Sequence, residues 1–395
     1  MTKKDQKISE YIPLSIPMIQ GNEWKYVKEC LDEGWVSSAG KYVEEFESDI
    51  AKFVGVKNAI ACVNGTSAIH ISLIIAGVKA NDEVIVPTIT FIAPVNAIKY
   101  VGAEPVFMDS DDYYNLNVEK TIDFINKETI FKNGFSYNRH SGKRISAVIP
   151  VHIFGNAVNL EELNEICLDK NINIVEDATE SLGTRYTKGK LSGKHAGVIG
   201  SVGCLSFNGN KIITTGGGGM ILTNDNELAA KAKYLTTQAK DDEIRYIHGE
   251  VGYNYRLTNI QAALGVAQLE KLPEFLNIKK ENYRVYKKEI GNIEGLDLAD
   301  APDYADNNLW MYALRISKGR YGMGREELME YLYENKIQTR PTWYLNHLQK
   351  IYKKNQNYRI EKAYELYDTT LNIPCSVNLT NNQLRFVIDK LKNPR

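Results

Sequence analysis

No stretch of this 395-residue sequence approaches the roughly 18 consecutive apolar residues of a membrane span. The opening "MTKKDQKISEYIPLS" has no apolar signal core, so the chain reads as non-secreted and cytoplasmic. Cysteine is scarce: Cys30, Cys62, Cys167, Cys204 and Cys375 are odd in number, scattered and never in a CxxC pair, which excludes a disulfide frame and a zinc cluster. An excess of either charge is missing as well. Lys plus Arg number 48 against 49 Asp plus Glu, so no global field draws the protein to nucleic acid or a membrane surface, and an anionic ligand must be met locally. Both common nucleotide-loop patterns are absent, because Lys211 follows Asn210 and precedes Ile212, and no G-x-G-x-x-G follows the first strand-like run. Internal repeats and low-complexity tracts are lacking too.

What is present is a change of rhythm. Trp24, Val27 and Leu31, then Val43, Phe46, Ile50 and Phe53, recur at three- and four-residue spacing and predict two amphipathic helices joined by "EGWVSSAG". From residue 59 short apolar runs alternate with helical stretches: "AIACV", "EVIVP", "PVFMD", "ISAVIPV", "INIVED", "VGCLSF" and "GMILT". That alternation predicts an α/β protein with a mainly parallel sheet buried on both faces. The polar stretch 131–144 reads as an aperiodic surface excursion, its basic residues solvated. Residues 259–290 form a helical pattern interrupted at Pro273. A chain of this length divides into two domains, expected as 1–270 for an N-terminal segment with a large domain and 271–395 for a smaller one.

In parallel sheets ligands gather at the carboxyl ends of the strands. Four polar loops fall there: "NGTS", "PTITF", "EDATES" and "NGNK". Gly65, Thr66 and Ser67 open a helix, where hydroxyls either cap the terminus or bind a phosphate. Asp177 and Glu180 end a buried strand, as surface punctuation or as partners of a cationic ligand atom. Lys211, alone, would be a solvated loop cation. Together the three suggest more. A lysine amine partly removed from water attacks carbonyls and forms a Schiff base, and pyridoxal phosphate needs that amine, an acid for its pyridinium nitrogen and a helix terminus for its phosphate. Ser206 is a further phosphate donor, and Phe91 either covers the ring or fills the core.

The ordered motifs "NGTSAIH", "VPTITFIAPVNAI", "PVHIFGN", "VEDATESLG", "SFNGNKIITTGGGGMILTND", "VGYNYRLTNIQAALGVAQLE" and "RPTWYLNH" resemble the DegT/DnrJ/EryC1/StrS family of sugar aminotransferases over nearly the whole chain. The resemblance implies the aspartate-aminotransferase fold (pyridoxal-phosphate fold type I), with a large mixed-sheet domain and a smaller C-terminal α+β domain. It implies Lys211 as the Schiff-base lysine and Asp177 as the ring-nitrogen partner. Thr66, Ser67 and Ser206 would hold the phosphate, with Gly65 beside them and Phe91 against the ring. Asn254 would reach the cofactor of a neighbouring subunit, so a homodimer with shared sites is implied. Trp35, Ser38, Arg256 and His347 match positions near the substrate channel. Glu180 replaces the glutamine most members carry for the cofactor's ring hydroxyl.

The implied activity is transamination of the C4 ketone of a nucleotide-linked 4-keto-6-deoxy sugar. L-Glutamate is the donor, 2-oxoglutarate the by-product, and pyridoxamine phosphate the intermediate cofactor form. "FNGNKIITTGGGG" and the 131–144 excursion look most like the subgroup making UDP-linked 4-amino-4,6-dideoxy-N-acetylglucosamine, with GDP-linked, perosamine-type substrates as the alternative. A pyridoxamine-dependent dehydratase on the same fold would carry histidine at 211, and a non-catalytic binding protein would have no need of an intact Lys211, Asp177 and Ser206.

Overall fold

The computed structural model describes residues 11–394 apart from residue 243. The first ten residues, most of the segment read as lacking a signal core, lie outside the described residues. All seven expected apolar runs are strands of one sheet: β1 (Asn58–Cys62), β2 (Glu83–Pro87), β3 (Glu104–Met108), β4 (Ile145–Val148), β5 (Asn173–Asp177), β6 (Val202–Ser206) and β7 (Gly219–Thr223). An eighth, β8 (Asn357–Tyr358), returns from the C-terminal part, and the order is β1-β7-β6-β5-β4-β2-β3-β8. β7 alone runs antiparallel, to both β1 and β6. The strands interior to the sheet are buried on both faces, which is why they read as continuous apolar runs rather than alternating ones. The C-terminal part carries its own antiparallel sheet, in the order 296–298, 312–316, 370–373, 340–341. This is the large-plus-small α/β architecture the sequence predicts. Among the described residues no helix is long and apolar enough to cross a membrane.

Three local expectations are corrected. Helices α1 (Glu23–Asp32) and α2 (Lys41–Val54) form, and α2 buries Val43, Phe46 and Ile50 as expected. α1 does not bury its apolar residues: Trp24 is 80% exposed and Leu31 57%, while Glu23 and Cys30 face inward. The inward face is held by polar bonds instead. Gln268 Nε2 donates to Glu23 Oε1 at 2.6 Å and Asn259 Nδ2 lies 3.2 Å from Cys30 Sγ, so apolar periodicity marks the wrong side.

The excursion at 131–144 contains most of a β-hairpin, Thr129–Lys132 paired with Phe135–Asn138. Its turn, Asn133-Gly134, has positive φ at both residues (53° and 80°), the geometry that matches the strands' twist. Its basic residues are not all solvated: the Arg144 guanidinium lies 4.6 Å from the Phe135 ring centroid.

The long C-terminal pattern is one unbroken helix, α4 (Asn259–Ile290), with Pro273 inside it. A mid-helix proline costs about 3 kcal/mol; full burial of its neighbours Leu272 and Phe275 offsets this.

Candidate active site

The loops after β1, β2, β5 and β6 open at one edge of the sheet and enclose a cavity of about 360 Å³. Gly65, Thr66, Phe91, Asp177, Glu180, Ser206 and Lys211 all line it. Each is placed by a strand end. Leaving β1, Asn64 caps helix α3 (Gly65–Ile75) by accepting the Ser67 N–H at 2.8 Å, which fixes Thr66 at the helix's positive end. Ser67 itself is buried and donates its backbone N–H to that cap. Gly65 packs so closely on β6 that a Cβ there would stand 2.9 Å from Ser206 Cβ.

β5 delivers the acids. Asp177 is buried, and its Oδ1 accepts the Thr179 N–H at 3.1 Å. Burial raises its carboxyl above the ordinary value, with Lys211 and His152 pulling the other way. The residue before it, Glu176, looks to the opposite side, accepting backbone N–H groups of Gly197, Ile199 and Gly200 and a 3.0 Å bond from His152 Nε2. The tautomer follows from the backbone: Val158 N–H donates to His152 Nδ1, so the proton sits on Nε2. Glu176 is therefore a structural acid.

Lys211 Nζ lies 3.8 Å from Glu180 Oε1 and 4.1 Å from the centroid of the Trp310 ring, its side chain only 14% exposed. Burial holds its amine below the ordinary lysine value, against the opposing pull of Glu180 and Asp177. The same burial pushes the Glu180 carboxyl up to about 7. Glu180 Oε2 accepts the Phe154 N–H at 2.8 Å, and Phe154 sits at a positive φ of 57° to make that bond. The glycine run behind the lysine is only partly left-handed: Gly216 and Gly218 have positive φ. Gly219 is there for proximity, since a Cβ would meet the Asn64 carbonyl carbon at 2.5 Å.

The remaining expected residues are not brought into this cavity. Asn254 and Trp35 are exposed and Ser38 half-buried. Arg256 bridges to Cys62 along the backbone, and its Nε is buried without a hydrogen-bond partner. His347 is buried, with Nδ1 2.7 Å from Thr88 Oγ1 and Nε2 2.9 Å from the Tyr364 hydroxyl. The cavity also takes residues that the sequence did not single out: Asn64, Thr90, Thr179, Asn208, Asn210, and two tryptophans, Trp310 and Trp343. Trp343 stacks on Phe154 at 5.2 Å. Asn64, Thr90, Thr179, Asn208 and Asn210 were legible as members of the quoted loops, and Trp343 stands in "RPTWYLNH"; Trp310 carries no local signal.

A reactive amine, a buried acid and a helix terminus now stand around one cavity. Residues 17–392 match the DegT/DnrJ/EryC1/StrS aminotransferase family. The chain belongs to that family. It is 36% identical over 384 residues to the GDP-perosamine synthase of Escherichia coli O157:H7, covering 97% of this chain and 98% of the relative. It is also 36% identical to the GDP-perosamine synthase of Caulobacter vibrioides, over 96% of this chain and 97% of that one. The crystal structure of a DegT DnrJ EryC1 StrS aminotransferase from Brucella abortus superposes with a TM-score of 0.84 at 27% identity, each chain covered to 94%.

The protein is thus a nucleotide-sugar aminotransferase of this family, whose cofactor is pyridoxal phosphate. The cavity fits that group. Asp177 presents a buried carboxylate with acceptor capacity to spare, opposite a hydroxyl pair and an amine of lowered basicity. The two relatives are named for a GDP-linked product, which matches the alternative of the sequence reading rather than its UDP-linked main reading.

Proposed function

We propose that this DegT/DnrJ/EryC1/StrS member moves an amino group from L-glutamate to the C4 ketone of a GDP-linked 4-keto-6-deoxy sugar, yielding a 4-amino-4,6-dideoxy sugar nucleotide of the perosamine type. The observation that carries the reaction class is Lys211, an amine of lowered basicity between Glu180 and Trp310 in a cavity floored by Asp177. The nucleotide rests on the names of the two perosamine synthases.

Bound pyridoxal phosphate supplies the aldehyde that takes up the donor amine and the ring that spreads charge from Cα. The chain supplies the rest. Asp177 would hold a proton on the ring nitrogen, Thr66, Ser67 and Ser206 would bind the phosphate at the α3 terminus, and Phe91 would cover a ring face. Lys211 is neutral at lower pH than a free lysine, so its amine would hold the cofactor's aldehyde and would also serve as the base that carries a proton from the donor's Cα.

Asn254 and Trp35 lie on the surface, outside this chain's cavity. Their position supports a homodimer in which a second copy completes each site. Mixing Lys211→Arg with Asn254→Ala chains should then recover part of the activity that neither variant has.

The test is a glutamate-dependent assay on GDP-, UDP- and dTDP-linked 4-keto-6-deoxy sugars, with the product's C4 configuration read by NMR. The GDP sugar should turn over fastest, and a preference for UDP would overturn the nucleotide. Lys211→Arg should lower turnover at least about a thousandfold on every sugar; retained activity would overturn the reaction class.

A further inference from the structure

One lysine is buried with no acid to meet it among the described residues. Lys279, on the face of α4 toward the C-terminal part, is 2% exposed. Its Nζ donates to the backbone carbonyls of Trp310 at 2.9 Å and Cys375 at 2.6 Å and lies 5.0 Å from the Tyr312 ring centroid. Two titratable groups face it, the Cys375 thiol and the Tyr312 phenol ring, and among the described residues no carboxylate pairs with it. A buried cation solvated only by carbonyl dipoles and a ring face is costly to keep.

What it holds leads back to the site. Trp310 is fastened at three points: its carbonyl by Lys279, its N–H by Asn308 Oδ1 at 2.9 Å, and its indole Nε1–H by the Asn210 carbonyl at 2.7 Å. Asn210 immediately precedes Lys211, whose Nζ lies under the indole. Asn308 also donates to the Glu180 carbonyl at 2.8 Å, so the same short segment touches both members of the Lys211–Glu180 pair.

We propose that Lys279 is a positioning residue for the reaction: it clamps the Trp310 backbone so that the indole covers Lys211 and keeps water from its amine. The inference rests on Lys211 being the reactive amine. It is tested by a measurement on that amine itself, so its failure is separable from failure of the proposed activity.

The experiment is competitive acetylation of full-length, cofactor-free protein across pH, with Lys211 followed by mass spectrometry, together with the pH midpoint of the visible absorbance after loading with pyridoxal phosphate. Lys279→Met should raise the Lys211 midpoint by about one unit, a roughly tenfold fall in its reactivity at neutral pH. Lys279→Gln, which keeps an amide NH2 donor, should shift it less. Trp310→Phe should shift it in the same direction, and the Lys279→Met/Trp310→Phe double variant should not add the two effects. A lowered melting temperature with an unmoved Lys211 midpoint, in whichever Lys279 variant folds, would overturn the proposal. Fully additive shifts would overturn the route through Trp310.

Discussion

Replacing Glu180 by glutamine isolates the charge nearest to the reactive lysine. The two atoms are 3.8 Å apart, with side chains 4% and 14% exposed, so solvent screens them little. Two full charges at about 4 Å and an effective dielectric near 20 interact by about 4 kcal/mol. The carboxyl sits at about 7, so near neutral pH it carries on average about half a charge, leaving about 2 kcal/mol, or one to two pKa units on the lysine. The sign is downward: Glu180 raises the Lys211 midpoint, and Glu180→Gln lowers it. The amide oxygen can still accept the Phe154 N–H, so the loop keeps its shape.

Competitive acetylation of Lys211 across pH reads the shift directly. Stability gives a second reading. Burial raises the carboxyl from 4.5 to about 7, so between those values the folded chain keeps a proton that the unfolded chain has released. Its contribution is fully present below the unfolded value and is lost as pH rises through about 7, a loss on the order of 3 kcal/mol. Glutamine does not titrate, so the variant should lack that decline. A Lys211 midpoint that stays or rises in Glu180→Gln, with an unchanged stability slope, would refute the coupling.

Beyond the Lys211→Arg and Lys279→Met outcomes above, two substitutions probe the framework. Asn64→Ala removes the α3 cap and should cost about 1 kcal/mol in a denaturant titration and weaken phosphate and pyridoxal-phosphate binding together, since the same turn aims Thr66. Gly219→Ala drives a Cβ into the Asn64 backbone at 2.5 Å; melting temperature and cofactor uptake should both fall, by a free-energy loss of about 2 kcal/mol or more, and an unperturbed variant would mean that β1 and β7 have slack there.

The seven strands were legible because burial on both faces leaves a local trace, an unbroken apolar run of five residues or so. The four loops of the site were legible for a related reason, as each follows such a run directly. α1 misled because its inward face is satisfied by hydrogen bonds from Gln268 and Asn259, more than two hundred residues away, and leaves its apolar residues outside. The hairpin at Thr129–Asn138 did carry a signal, Asn133-Gly134, which the polar composition around it hid. Pro273 looked like a stop because proline breaks isolated helices; packing on both sides of it decided otherwise.

By itself the sequence determined the order of strands and helices and the side chains available at each strand's end, since both depend on neighbours in the chain. Only the tertiary structure decided what those side chains are chemically. Lys211 is an ordinary cation in "NGNK" and a weakened base once the fold buries it. Glu180 is an ordinary carboxylate until burial beside Lys211 lifts it to about 7. Acidity follows from the loss of water around a group, and that loss is imposed by residues a hundred positions distant.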